Sequence, residues 1–334
     1  PQHTMFRLSE LKTIYPGVDL IVEARRYYPF GRFASHLIGY MGKMDARAWK
    51  EFKNKGYRPD ARIGRLGLEG IFEHELRGRD GGIRMEVDAQ GRLKRILERI
   101  EWRAGSNIRL TIDADIQKAA DEGLRSSGTG RGAVVVLDPR TGAILALSSA
   151  PDFDPNALLS SNPAIVKKQI EGLPEFNYAI SGTYPPGSIF KPIVSAAGLN
   201  ENRISPNDTV FCPGYFYLGS KKFRCWEHKG HKQVSFLSGL AKSCDVYYYK
   251  MGLKMGGTLI ERYEREFGLG AKTSVALKGE KSGHILGPQA RGAANRSWYD
   301  GDTVNLSIGQ GELLVTPLQM AVLTATLANR GTIR

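Results

Sequence analysis

Thr183–Pro192, TYPPGSIFKP, sets two prolines and a glycine directly before a serine and a lysine three residues after it. Pro185 and Pro186 fix φ, and Gly187 permits a backbone conformation that a side chain would forbid. Together they make a stiff approach to a helix starting near Ser188. Pro192 is tolerable only within about the first turn, which places Ser188 at the helix N-terminus. Residues i and i+3 share a helix face, so the Lys191 amine can reach the Ser188 hydroxyl. The first N–H groups of the helix point where an oxyanion would form, and the helix dipole favours it. Serine is a weak nucleophile until a neighbouring base takes its proton, and a buried lysine can be that base.

The S-x-x-K pattern alone is cheap, with about one chance occurrence expected in a chain of this size. It occurs twice: Ser9 and Lys12 in SELK have no rigid approach and read as an exposed helix start. A second polar element is needed to pass the proton onward and hold a substrate amide. AKSCDVYYYK supplies Ser243 and Asp245 between two helix-like segments. The same S-x-[DN] spacing at Ser160 and Ser205 shows that spacing alone is weak.

Around this centre the chain has 334 residues, enough for two domains and a large core. Its 47 Lys+Arg against 34 Asp+Glu give a net charge of +13, a sign that suits nucleic acid, acidic headgroups or acidic wall polymer equally. The basic residues are scattered among acidic ones, as in ERYERE, with no zinc-finger spacing and no aromatic–basic RNA motif, so no nucleic-acid partner is expected. No apolar run approaches the roughly 18 residues of a membrane helix. The first residues, PQHTMFRLSELKTIYPGVDL, read like the middle of a longer protein whose anchor or leader lies upstream.

The first third, rich in Arg, Gly and Glu, suits an irregular α+β module. NIRLTIDADIQKAADEGLRSS then reads as a strand, a turn at Asp113, and an amphipathic helix with Ile116, Ala119, Ala120 and Leu124 on one face. SSGTGRG is the expected seam. Beyond it, GAVVVLDPRTGAILALSS reads as a β-hairpin turning at Asp138–Gly142. SGLAKSCDVYYYKMG, GTLIERYEREFGLG and VTPLQMAVLTATLANRG read as helices, the second stopped by Gly268 and the third bounded by Pro317 and Gly331. The expected class is α+β, divided as 1–112, a linker helix and hinge over 113–130, and 131–334. Tyr247, Tyr248 and Tyr249 read as core and groove wall rather than a stacking platform. No G-x-S-x-G elbow, Walker loop or H-E-x-x-H motif is present.

SGTYPPGSIFKP, KSCDVYYYK and GDTVNLSIGQGELLVTPLQMA, in this order, resemble the transpeptidase domain of class B penicillin-binding proteins, above all the elongation type. YPFGRFASHLIGY and GRLGLEGIFEHELRG resemble that family's N-terminal pedestal. The resemblance covers nearly the whole chain. It implies an irregular pedestal followed by an antiparallel sheet with helices and an inserted all-α lobe. Ser188 would be the acylated nucleophile, Lys191 its base, and Ser243 and Asp245 the second motif. Most relatives carry Asn at the last position, and Asp fits the elongation type. The implied reaction is transfer of a peptidoglycan stem peptide from D-Ala–D-Ala to a neighbouring strand's amine, with β-lactams trapping the first step. Implied partners are a membrane-embedded glycan polymerase and rod-shape scaffold proteins, on the periplasmic face of the inner membrane. The family's K-T-G motif is absent: Lys272-Thr273-Ser274 precedes GQGELLVTP, whereas K-T-G follows it, so Lys272 is expected on a helix-exit loop. The chain is expected to lack the C-terminal part bearing that strand, and to catalyse poorly without it. Two other readings use the same residues: a β-lactam-recognising hydrolase or sensor, and a non-catalytic scaffold of the elongation machinery.

The three cysteines form C-x12-C-x5-H-x12-C with a histidine: Cys212, Cys225, His231 and Cys244. Cys3His is a complete structural Zn2+ set. One disulfide with a free thiol, or three buried thiols, would also account for the cysteines, and His228 is an alternative ligand. Because Cys244 stands between Ser243 and Asp245, a metal there would anchor the second motif from behind.

Overall fold

The structure is a computed structural model describing residues 25–90, 92–160, 162–171 and 175–334. Ser9 and Lys12 lie outside the described residues. The N-terminal module contains helices α1 (Ser35–Ile38), α2 (Ala46–Phe52), α3 (Gly67–Ile71) and α4 (Glu73–Arg77). Its strands form two antiparallel pairs, β1 (Met41–Lys43) with β2 (Arg62–Gly64), and β3 (Gly82–Val87) with β4 (Leu93–Ile100). Glycine is required where backbones cross: a Cβ on Gly39, at φ 80°, would sit 1.7 Å from the Leu66 carbonyl oxygen.

Helix α5 (Ala114–Ser126) starts at Asp113, whose carboxylate accepts from the N–H groups of Asp115 and Ile116. Residues 107–112, expected as a strand, are irregular. Among the described residues the alternation of Ile108, Leu110 and Ile112 finds no partner strand. Its end touches the hairpin, where Thr111 Oγ1 donates to Ile144 O and Asp113 N–H to Leu145 O. The buried face of α5 is also rotated from the expected one. Gln117, Ala120, Asp121 and Leu124 are buried, while Ala119 is exposed and Ile116 half-buried. The polar pair accounts for the rotation: Gln117 accepts from Leu147 N–H at 2.8 Å, and Asp121 accepts from Ala34 N–H at 3.0 Å.

The expected hairpin forms from β5 (Gly132–Leu137) and β6 (Ile144–Ala150), antiparallel, and α5 packs against β6. Helices α6 (Pro155–Leu158) and α7 (Pro163–Ile170) follow. A 3-10 turn over Gly187–Phe190 runs directly into α8 (Lys191–Asn200). Next come β7 (Thr209–Cys212), β8 (Tyr215–Leu218), β9 (Lys221–Arg224) and β10 (Lys232–Ser235). They pair antiparallel as β7 with β10 and β8 with β9. The expected helices form as α9 (Phe236–Ala241), α10 (Asp245–Met255), α11 (Gly257–Glu266) and, after α12 (Pro288–Ala293) and α13 (Asp300–Leu306), α14 (Pro317–Ala328). Pro317 opens α14 behind the Thr316 cap, and Gly331 follows its end at φ 96°.

The main core gathers Phe190 of the 3-10 turn with Ile193, Tyr247, Tyr248, Ile260 and Leu306 from α8, α10, α11 and α13. A second apolar cluster joins Ala34 and Leu37 of the N-terminal module to Leu147, Ile180, Leu277 and Leu318 of the remainder. Tyr28 and Asn156 add a reciprocal pair, Tyr28 N–H to Asn156 Oδ1 at 3.0 Å and Asn156 Nδ2 to Tyr28 O at 2.8 Å. The module is therefore docked onto the domain that carries Ser188.

Candidate active site

Two elements meet at the site. The first is the rigid approach to α8. Gly187 adopts φ 59°, and its N–H donates to Gly309 O at 2.9 Å, so the loop after α13 braces the turn bearing Ser188. Ser188 itself is exposed. Lys191, one turn on, is 1% exposed. Its Nζ lies 3.2 Å from Ser188 Oγ, 2.9 Å from Ser243 Oγ, 2.9 Å from Ser243 O and 2.8 Å from Asp245 Oδ1. An ammonium has three protons for these four acceptors, so the set can exchange partners without moving heavy atoms.

The second element is the turn from α9 into α10. Ser243 sits at φ 52°, a left-handed conformation costly for a residue with a Cβ. Two donors hold its carbonyl there: Lys191 Nζ, and Trp226 Nε1 at 3.2 Å. The Trp226 backbone N–H donates to Asp245 Oδ2 at 3.0 Å, leaving Oδ1 for Lys191. All four residues singled out in the sequence are thus brought together. Trp226 was not singled out, and nothing in its local sequence marks it except its place beside Cys225. The cleft above Ser188 encloses about 420 Å³ and is lined by Arg224, Cys225, Trp226, Asp245, Tyr249, Ile308 and Gln310. Tyr247 and Tyr248 are fully buried while Tyr249 reaches the cleft, matching the expected core and groove wall. Burial pushes the Tyr248 phenol up to about 12, and its hydroxyl pairs with Ser195 at 2.8 Å.

Lys272 is exposed on the loop leaving α11, outside this cleft. A larger cavity of about 670 Å³ lies elsewhere, between α2, α4 and residues 275–278. It holds none of the four residues.

Behind the second motif, Cys212, Cys225, His231 and Cys244 place their ligand atoms within 4.8 Å of one another. His231 turns Nδ1 toward the sulfurs, 3.6 Å from Cys225 Sγ and 3.8 Å from Cys212 Sγ. A hydrogen bond from the Cys244 side chain is the main cause that lowers the Cys225 thiol to about 5, and the same bond pushes Cys244 up. Around a tetrahedral Zn2+ with bonds of about 2.3 Å, neighbouring sulfurs stand about 3.8 Å apart, so this buried set fits the ion with small adjustments. The three cysteines are free rather than bridged, and His228 is exposed outside the cluster.

Residues 132–334 match the penicillin binding protein transpeptidase domain, and residues 1–110 match the penicillin-binding protein dimerisation domain. The peptidoglycan D,D-transpeptidase MrdA of Acinetobacter baumannii is 36% identical over 97% of the chain, which covers 49% of that protein. The chain spans about half the length of the curated relatives it matches. The structure of penicillin-binding protein PBP2 in complex with MreC from Helicobacter pylori superposes with a TM-score of 0.86 at 30% identity, covering 99% of this chain and 62% of that one. Pseudomonas aeruginosa PBP2 in complex with WCK 5153 superposes at 0.77 with 33% identity, covering 92% and 64%.

Proposed function

Because the chain belongs to the class B penicillin-binding proteins, we propose that its whole protein is a serine-type peptidoglycan D,D-transpeptidase of cell elongation. The observation that carries the reading is Lys191 Nζ standing within hydrogen-bond reach of Ser188, Ser243 and Asp245 at once.

Ser188 Oγ attacks the carbonyl carbon of the penultimate D-Ala as its proton passes to the Lys191 amine, acting as general base. The developing oxyanion meets N–H groups at the start of the helical turn, which have no intrahelical partner. As the C–N bond breaks, Ser243 relays a proton from Lys191 to the departing D-Ala amine. An acceptor strand's amine then attacks the ester, gives up its proton along the same path, and Ser188 leaves reprotonated. Asp245 holds Lys191 between the two serines throughout. A β-lactam opens on Ser188 by the first step and stays bound.

Cys212, Cys225, His231 and Cys244 would hold a structural Zn2+, which supplies a fixed point rather than chemistry. Cys244 is the N-cap residue of α10 and Asp245 the helix's first residue, so that fixed point sets the register of the second motif. The relative solved in complex with MreC supports a rod-shape scaffold partner here, and the similar peptidoglycan synthase complex that couples polymerization to crosslinking supports a membrane-embedded glycan polymerase as a second one. Among the described residues no helix is long and apolar enough to cross a membrane, and the reading places the protein on the extracytoplasmic face through an anchor elsewhere.

Intact mass of the full-length protein before and after benzylpenicillin, with peptide mapping, tests the reading. An adduct on Ser188 is expected. A folded full-length protein without one would turn the assignment toward the non-catalytic scaffold.

A further inference from the structure

Among the described residues, strands β8 and β9 leave one face without a partner. Their register pairs Tyr215 with Arg224 and Tyr217 with Lys222, so these four side chains share that face. The opposite face is spent on packing: Phe216 and Phe223 lie against Tyr249. On the outer face Tyr215 and Tyr217 contact edge to face at 5.4 Å, and both remain exposed, at 39% and 53%. Lys222 Nζ lies over the Tyr215 ring at 4.2 Å. Between Thr209 and Trp226 the sequence carries Lys221, Lys222 and Arg224 and no acidic residue. None of these three bases forms an ion pair among the described residues. The stripe is continuous with the cleft, because Arg224, at its inner end, lines the cavity over Ser188. With about 3.4 Å per strand residue, it extends the cleft outward by roughly 10 Å, to the turn at Gly219.

We infer that this face docks the glycan strand that carries the reacting stem peptide, an inference that rests on the transpeptidase reading above. The tyrosine rings offer flat apolar surface for the C–H faces of sugar rings. Lys222 and Arg224, on the same face as the two tyrosines, complement the carboxylates of the stem peptides. The unpaired bases make the surface selective for an anionic polymer. The short distance to Ser188 suits a peptide that must enter the cleft while its glycan stays outside. A β-lactam, which has no glycan, has no use for the stripe.

The test uses the full-length protein and the pair Tyr217→Ala with Lys222→Gln, both on exposed side chains outside the cleft. Two quantities are read: the benzylpenicillin acylation rate, and the affinity for purified uncross-linked peptidoglycan strands bearing pentapeptide stems. The expected result is an acylation rate within twofold of the unsubstituted protein and strand affinity lower by at least tenfold. Strand affinity unchanged by the substitutions would overturn the docking face. Loss of binding to an acidic protein or anionic vesicles with strand binding intact would overturn it too, by assigning the face to another partner. Should the pair fail to acylate, each single substitution is read in its place by the same criteria. Failure of the unsubstituted protein to form the Ser188 adduct is a separate outcome, which removes the transpeptidase reading and this inference with it.

Discussion

On one side of the cleft, Ser188 is placed by its own stretch of chain: two prolines, a left-handed glycine, and a 3-10 turn that hands over to α8 at Lys191. On the other side, Ser243 and Asp245 are placed by side chains from elsewhere. The indole of Trp226 and the amine of Lys191 hold the strained Ser243 carbonyl, and the Trp226 N–H holds Asp245. The first motif is thus preorganised by covalent geometry, which unfolds only with the helix. The second is preorganised by tertiary contacts, each of which can be removed singly. Graded losses are therefore expected on the second side, and steeper ones where the two sides share an atom.

That shared atom is Lys191 Nζ. Lys191→Met keeps the buried stem and removes the base, and the benzylpenicillin acylation rate is expected to fall by about 10²–10⁴. A loss under tenfold would mean that another group deprotonates Ser188. Gly309→Ala comes next. A Cβ there would stand 2.2 Å from Gly187 O and 2.6 Å from Phe190 Cβ, so the turn bearing Ser188 must shift. Displacements near 1 Å cost about 10² in rate, and single-turnover acylation reads this directly. The thiol cluster is the third lever. If the cluster holds the proposed Zn2+, stripping it from the full-length protein with a chelator is expected to slow acylation about tenfold, with Ser188, Lys191, Ser243 and Asp245 all intact. Equal rates with and without metal would dissociate the cluster from the second motif. Trp226→Phe deletes one indole donor and leaves the backbone bond to Asp245. A loss of about fivefold, the worth of one hydrogen bond, is expected in the same assay.

The same division explains what could be read from the sequence. Ser188 and Lys191 were legible because their relation is local: three residues apart on a helix whose start two prolines and a glycine announce. The β5–β6 hairpin and α14 were legible for the same reason, from turn and capping residues. Trp226 was not, because its hydrogen bonds reach residues 16 to 19 positions away. The strand expected over 107–112 failed on a tertiary condition, a missing neighbour. The buried face of α5 departs from the expected one because hydrophobicity cannot say that Gln117 and Asp121 will be buried against the N–H groups of Leu147 and Ala34. The cysteine–histidine set is the intermediate case. Residue types suggested it, and only the pairing of β7 with β10, which sets Cys212 opposite Lys232 and so close to His231, assembles it.

The smallest effect comes from the locally encoded side. Gly187 has φ 59°, and a Cβ added there would meet nothing within 4 Å. Gly187→Ala therefore carries no steric cost, only that of holding an L-residue in the left-handed region, about 1 kcal/mol. In a domain of roughly 200 residues this lowers Tm by about 2–4 °C. The hydrogen bond from residue 187 to Gly309 O is made by the backbone and survives the substitution. Acylation should accordingly fall no more than a few-fold, far less than for Gly309→Ala across the same contact. If instead the two alanines cost the same in rate, the left-handed turn itself, and not the space between the two glycines, would be what sets the Ser188 hydroxyl.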